Sequence, residues 1–246
     1  MPSIIIKKII KTGLTSLSLI VSLSVISACS NTSKKADIKS AANYNAKLGA
    51  TYLEAGRLQL ANEKLEKALK QNPNSSDVNH YYAILQKRIG NNKAATKHFK
   101  KAISINKKNP QLINNYGTHL CQTGHYTEAV EQFDLAIKNP FYATPEYAYT
   151  NAGICLIKAN DNSQAEVYFR KALDKNSNFG SALFQMAKLN YHQGNFAKAQ
   201  AFLLRYDEHN MPDNGSLSLC TKVNTSLGDM DKADICTEKR LQLLAK

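Results

Sequence analysis

The stretch LGATYLEAGRLQLANEKLEKALKQNP, residues 48–73, decides the fold of this chain. Small residues stand at Gly49, Ala61 and Ala68, and large apolar residues lie between them at helical spacing. Gly56 lies near the middle of the stretch, and glycine readily adopts the backbone angles that end a helix. Because small residues let two helices approach closely, the stretch predicts a pair of antiparallel helices joined by a tight turn.

The same pattern recurs through the rest of the chain. With position 1 at Ala42, further copies begin at Ser76, Pro110, Glu146, Gly180 and Asn214. The intervals between starts are 34, 34, 36, 34 and 34 residues. This period and residue pattern resemble the tetratricopeptide repeat (TPR), in which each hairpin buries its apolar face against its neighbours. The sequence therefore predicts an all-α fold: a superhelical solenoid of six TPR hairpins over residues 42–246, with the poorly matching sixth repeat as its cap.

The N-terminal residues read as a targeting signal. Residues 1–28 combine a basic start with an uncharged apolar stretch and end in Ile26-Ser27-Ala28-Cys29, which resembles a bacterial lipobox. The resemblance implies cleavage before Cys29 and acylation of that residue, including a palmitate-type chain, and several acyl chains give stable anchoring. Ser30 favours the outer membrane, and residues 29–41 form a flexible tether. An ordinary cleaved signal peptide with a chance cysteine is the alternative.

Four cysteines remain after Cys29, an even number in an oxidising compartment, and three pairings are possible. Cys121 and Cys155 lie on successive first helices, which run side by side in this fold. Cys220 and Cys236 lie on facing sides of the sixth hairpin. These positions favour disulfides Cys121–Cys155 and Cys220–Cys236, with buried free thiols as the alternative.

No catalytic pattern stands out in the chain. It has no CxxC, no HExxH and no glycine-rich phosphate loop, and its six histidines show no metal-ligand spacing. We therefore expect no enzyme activity, no cofactor and no metal; a hydrolase would need a catalytic cluster, for example around His80 and His192. The net charge of +13 suits anionic headgroups or an acidic protein, and nucleic acid is not expected in this compartment.

A TPR fold binds partners along a groove lined by positions 2, 5, 9, 12 and 13 of the first helices. The groove residues predicted in this way are Ala46, Ala50, Leu53, His80, Ile84, Tyr147, Ile154, Phe184 and Tyr191. The surface is small and apolar at its start, and aromatic with scattered cations further on. Such a groove suits an extended or helical peptide held by apolar anchors.

The mature chain as a whole resembles the type IV pilus biogenesis/stability lipoproteins, or pilotins. The resemblance rests on the lipobox, the six repeats, the stretches 115–121 and 151–155, and the segment 165–173. It implies the Cys121–Cys155 pair and an outer-membrane lipoprotein on the periplasmic face. It also implies a secretin subunit as protein partner, whose localisation and multimerisation are assisted, or a role in pilus stability.

In some of these lipoproteins the groove of the first repeat is the contact surface, which makes Ala46, Ala50 and Leu53 the leading candidates. A generic periplasmic TPR lipoprotein scaffold, serving cell-wall or outer-membrane protein assembly, is the alternative.

Overall fold

The computed structural model describes residues 36–209 and 212–245, so the predicted signal peptide and Cys29 lie outside the described residues. Within these two ranges the backbone forms helices and turns and contains no β-strand, which confirms the all-α class. The helices are α1 (residues 36–54), α2 (Leu58–Gln71), α3 (Ser76–Arg88), α4 (Asn92–Ile105), α5 (Pro110–Gln122), α6 (Tyr126–Ile137), α7 (Pro145–Lys158), α8 (Asn162–Lys175), α9 (Gly180–His192), α10 (Phe196–His209), α11 (Asn214–Leu227) and α12 (Met230–Leu244).

These helices belong to two compact units. The first ends at Ile105 and holds α1–α4; the second begins at Asn106 and holds α5–α12. Successive helices pack as hairpins, for example α3 on α4 and α7 on α8. In the second unit each first helix also contacts the first helix of the next hairpin, so that α5, α7, α9 and α11 follow one another. This is the packing of a tandem helical repeat.

One left-handed residue separates the two helices of every hairpin. Glycine supplies it at Gly56, Gly90, Gly124, Gly194 and Gly228, with φ between 71° and 85°. In the fourth hairpin Asn160 takes this place with φ 61°, and asparagine is among the few residues that tolerate this conformation. The turn is therefore set by backbone angle, and the fourth hairpin keeps it without a glycine.

Close contact between the two helices of a hairpin depends on repeat positions 8 and 24. A Cβ atom at Gly117 would lie 2.8 Å from the ring of Phe133, and one at Gly153 would lie 2.4 Å from the ring of Phe169. Both phenylalanines are fully buried. Any larger residue at these glycines would push the two helices apart or displace the ring.

The sixth hairpin makes the contact between positions 8 and 24 with polar side chains. Thr221 and Thr237 occupy positions 8 and 24, and their hydroxyl oxygens lie 3.1 Å apart. The helix α11 begins with a capping box, in which Asp213 accepts from the Ser216 N–H and the Ser216 hydroxyl accepts from the Asp213 N–H. Polar contacts and a cap therefore replace the apolar contact of the inner hairpins.

Candidate functional site

Three predicted groove residues of the first unit are buried. Ala46, Leu53 and His80 expose only 2%, 3% and 6% of their surface. Ala46 packs with Ala68 and Val78, and Leu53 packs with a cluster that includes Leu65 and Leu85. These side chains belong to the core of the unit, which corrects the prediction that they form an open contact surface.

This burial results from packing against the neighbouring helices. Ala46 and Leu53 are covered by residues of both α2 and α3. Ala50 and Ile84 are only half-buried, and they are what remains of the predicted surface in this unit.

Burial also decides the charge of His80. Its ring stacks on that of Tyr81 with centroids 5.4 Å apart. Removal from water lowers the pKa of His80 to about 4, because the charged form is the one that burial penalises. At neutral pH this histidine is therefore an uncharged core residue.

An open pocket of about 440 Å³ lies in the second unit, between α9 and α11. We call it the α9–α11 groove. Its lining residues are Phe184, Lys188, Tyr191 and His192 of α9, Asn214, Gly215, Ser218, Leu219 and Lys222 of α11, and Arg240 of α12. Phe184 and Tyr191 are the two predicted groove residues that the structure brings together here.

Aromatic side chains form the base of the α9–α11 groove. The ring of Phe184 contacts that of Tyr206, with centroids 5.9 Å apart, and the ring of Tyr191 lies 5.7 Å from that of Phe196. Both rings also pack against the core cluster of Leu203 and its neighbours. Their inner edges are thereby held in place while their outer parts line the groove.

Cationic side chains border these rings. Lys188 holds its ammonium nitrogen 5.7 Å from the centroid of the Phe184 ring, a cation–π contact. Arg240 donates from Nε to Asn214 Oδ1 at 2.6 Å, which brings a residue of α12 to the same pocket. Lys222 is exposed on α11. Among the residues that line this groove none carries a carboxylate, so the surface is apolar at its base and positive at its border.

The repeat register could also have predicted the groove residues on α11. Gly215, Ser218 and Lys222 occupy positions 2, 5 and 9 of the sixth repeat, and position 5 is the one that predicted Phe184 in the fifth. Arg240 had no such signal, because it lies on a second helix and reaches the groove through the packing of α12 on α11.

The groove residues predicted on α7 lie apart from this pocket. Tyr147 is half-exposed and makes an edge contact with Phe179, with ring centroids 4.7 Å apart. Ile154 is half-buried against Phe169 and its neighbours. Neither residue lines the α9–α11 groove.

The cysteines are placed in two pairs. Cys121 of α5 and Cys155 of α7 have Cα atoms 5.7 Å apart, and Cys220 of α11 and Cys236 of α12 have Cα atoms 6.0 Å apart. Both Cα separations lie within the range of a disulfide bond. The second pair lies between α11 and α12, the helices that carry half of the groove.

Residues 36–209 and 212–245 contain neither a metal-binding cluster nor a helix able to cross a membrane. In these ranges no cluster of three histidine, cysteine, aspartate or glutamate side chains is arranged to hold a metal ion. Nor does any helix there have the length and apolar character needed to cross a membrane.

Comparison with known proteins places the chain among TPR proteins. Tetratricopeptide-repeat family models match residues 47–75 and 156–222. The type IV pilus assembly protein PilF of Pseudomonas aeruginosa is 27% identical over 186 residues, which are 76% of this chain and 74% of that protein. An uncharacterized protein of Haemophilus influenzae is 30% identical over 136 residues, which are 55% of this chain and 76% of that protein.

Solved structures agree with this relationship. A structure of Pseudomonas aeruginosa PilF superposes with a TM-score of 0.74 at 26% identity, covering 84% of this chain and 93% of the other. A structure of PilW, a type IV pilus biogenesis factor, superposes with a TM-score of 0.73 at 26% identity, covering 80% and 91%. The tandem TPR architecture predicted from the sequence is thus confirmed.

Proposed function

Since this chain belongs to the family of TPR proteins that includes the type IV pilus proteins PilF and PilW, we propose that it assists type IV pilus biogenesis by binding a protein partner in the α9–α11 groove. The proposed partner is the secretin subunit of the pilus, whose localisation and multimerisation at the outer membrane the protein promotes. The groove, with its fixed aromatic base and positive border, is the observation that carries this proposal.

The chemistry of the groove defines the segment it would bind. Phe184 and Tyr191 offer flat apolar surfaces for one or two apolar side chains. Lys188, Lys222 and Arg240 would pair with carboxylates beside those anchors. The fitting ligand is therefore a short amphipathic and acidic peptide segment, and a few aromatic contacts typically supply most of the affinity of such an interface.

The proposed mechanism is binding and not catalysis. A protein held on the membrane by an acylated Cys29 would keep its partner at the inner face of the outer membrane and raise the local concentration of subunits there. Binding also stabilises the bound form by mass action and shields its aggregation-prone surface. Neither a cofactor nor a reacting group is needed for this role.

The first test is genetic. The gene is deleted, and secretin multimers are measured on a denaturing gel after outer-membrane fractionation. We expect the multimer to be lost, to be restored by the wild-type gene, and not to be restored by a Cys29→Ser variant that fails to reach the membrane.

A second pair of variants addresses the groove. The double variant Phe184→Ala and Tyr191→Ala should restore little multimer although it is folded and membrane-bound. The matched variant Tyr147→Ala removes an aromatic ring outside the pocket and should restore it fully.

Each result has a clear meaning. Intact multimers together with lost surface pili would move the role from secretin assembly to stability of the pilus fibre. Normal multimers and normal pili in the deletion strain would contradict the proposal and leave a lipid-anchored scaffold for cell-wall or outer-membrane protein assembly.

A further inference from the structure

The loop between α6 and α7 holds one aromatic side chain out in solvent. Phe141 is 91% exposed, although its neighbour Tyr142 is only 7% exposed. Tyr142 packs with Ile113 and Ala148 in a core cluster of the second unit. The chain therefore inserts one ring into the core and points the adjacent ring away from it.

Hydrogen bonds fix this arrangement. The Asn139 side-chain oxygen accepts from the Phe141 N–H at 2.9 Å, and the Asn139 side-chain nitrogen donates to the Lys108 carbonyl at 2.8 Å. The Tyr142 N–H donates to the Asn139 carbonyl at 3.1 Å. Asn139 thus joins the loop to the turn before α5, and these hydrogen bonds fix the position of Phe141 relative to Lys108.

Positive charge surrounds the exposed ring. Phe141 borders a shallow pocket of about 540 Å³ whose lining includes Lys107, Lys108 and Lys138, all exposed. Leu135 adds an apolar side chain that is 49% exposed. The residues that line this pocket include no aspartate or glutamate. We call Lys107, Lys108, Lys138 and Phe141 the Phe141 patch.

We propose that the Phe141 patch binds the surface of an anionic lipid bilayer, with the Phe141 ring inserted at the headgroup level and the three lysines against lipid phosphates. An aromatic ring is stable at the boundary between headgroups and acyl chains, and lysines near an anionic leaflet attract it. A protein partner would need a surface shaped to match this ring and the three lysines, whereas an anionic bilayer accepts them without preformed complementarity. This proposal uses neither the α9–α11 groove nor the pilus role.

The absence of tryptophan from the chain allows a direct test. In the full-length Phe141→Trp variant, the single tryptophan reports the polarity around position 141. We expect its emission to shift to shorter wavelength with vesicles of phosphatidylglycerol, to stay unshifted with phosphatidylcholine, and to return towards its original wavelength as salt is added.

A matched probe separates local insertion from attachment by another part of the chain. Val167 is 41% exposed on α8 and does not line the pocket. In a Val167→Trp variant the emission should stay unshifted even when the protein sediments with the vesicles. Equal shifts at both positions, or none at position 141 in vesicle-bound protein, would overturn the proposal and leave the patch to a protein partner.

Substitutions of the three lysines measure how much their charges contribute to vesicle binding. In a chain that begins at Ser30 and therefore lacks the acylated cysteine, removing one lysine by substitution with glutamine should weaken binding to phosphatidylglycerol vesicles about fivefold, and removing all three should weaken it roughly a hundredfold. Lys175→Gln, an exposed lysine on α8, is the control and should leave binding within twofold. Because these lysines are solvated, the melting temperatures of all variants should match that of the parent. A triple variant that binds as tightly as the Lys175 control would contradict the assignment.

Discussion

The first helices α1 and α9 carry different side chains at the same repeat positions. Positions 5 and 12 are Ala46 and Leu53 in α1, and Phe184 and Tyr191 in α9. In the first unit both side chains are buried between their own hairpin and the next, whereas in the second unit both line an open groove.

This difference teaches that the register selects the positions, whereas packing against the neighbouring hairpin decides whether a side chain there is covered. His80, an aromatic ring at position 5 of α3, is buried although it is large. A short side chain at position 5 or 12 ends inside the contact between hairpins and stabilises it. In α9 the rings of Phe184 and Tyr191 pack against the core and also line the open groove. The first unit would therefore depend on these positions for stability, and the second would depend on them for binding.

The largest expected effect is the loss of stability in the first unit. Leu53→Ala removes a buried side chain from the cluster with Leu65 and Leu85, and this should lower the free energy of unfolding of that unit by about 2–5 kcal/mol. Tyr191→Ala, at the same repeat position, should cost the second unit about 1 kcal/mol because that side chain is only partly buried. Denaturant unfolding followed by hydrogen exchange in each unit measures both values. Equal losses of unfolding free energy in the two variants would contradict the proposed difference between the two units.

The next largest expected effect is the loss of stability when the predicted Cys220–Cys236 disulfide is removed. The double variant Cys220→Ser and Cys236→Ser removes the predicted disulfide between cysteines 16 residues apart, and this should lower the free energy of unfolding of the α11–α12 hairpin by about 3 kcal/mol. Amides of α11 and α12 should then exchange roughly a hundredfold faster. The described residues of the first unit contain no cysteine, so exchange in α2–α4 should not change. Unchanged exchange in α11 and α12 would show that the two thiols are not joined.

Acid should destabilise the first unit through His80. The pKa of the buried ring is about 4, below its ordinary value of 6.5, so the stability from the neutral ring is complete above pH 6.5 and is lost as pH falls towards 4. We expect a loss of about 2–3 kcal/mol between pH 7 and pH 4, measured by unfolding at each pH. In a His80→Gln variant this loss should shrink. His98, whose pKa is also lowered by burial and by Lys97 and Lys101, should retain its smaller share. An identical pH dependence in the variant and the parent would contradict the assignment to His80.

The smallest effect concerns binding itself. Tyr191→Ala should weaken the affinity for the purified secretin subunit by about 1–2 kcal/mol, roughly tenfold, because an aromatic anchor is lost. Ile84→Ala, on the half-buried surface of the first unit, is the matched control and should change the affinity less than twofold. Calorimetric titration compares the two. If Ile84→Ala weakens binding as much as Tyr191→Ala, the first unit also takes part in the contact.

The sequence by itself determined the repeat architecture. The glycines at position 15 and the small residues at position 8 act locally, because the first sets a backbone angle and the second admits one facing side chain. Asn160 shows that even a departure from the pattern keeps the turn when the residue tolerates the same angle. The positions of the cysteines were likewise readable from the register, because helical spacing fixes which faces of neighbouring helices meet.

Only the tertiary structure decided which repeat positions are open. Whether Ala46 is covered and Tyr191 is not depends on the size of side chains from the neighbouring hairpin, which lie about one repeat away in sequence. The place of Arg240 in the groove and the outward direction of Phe141 depend on contacts across helices and on the Asn139 hydrogen bonds. Periodicity specifies the face on which a residue lies, but exposure is set by the volume that the neighbours fill, and that volume is known only when the helices are packed.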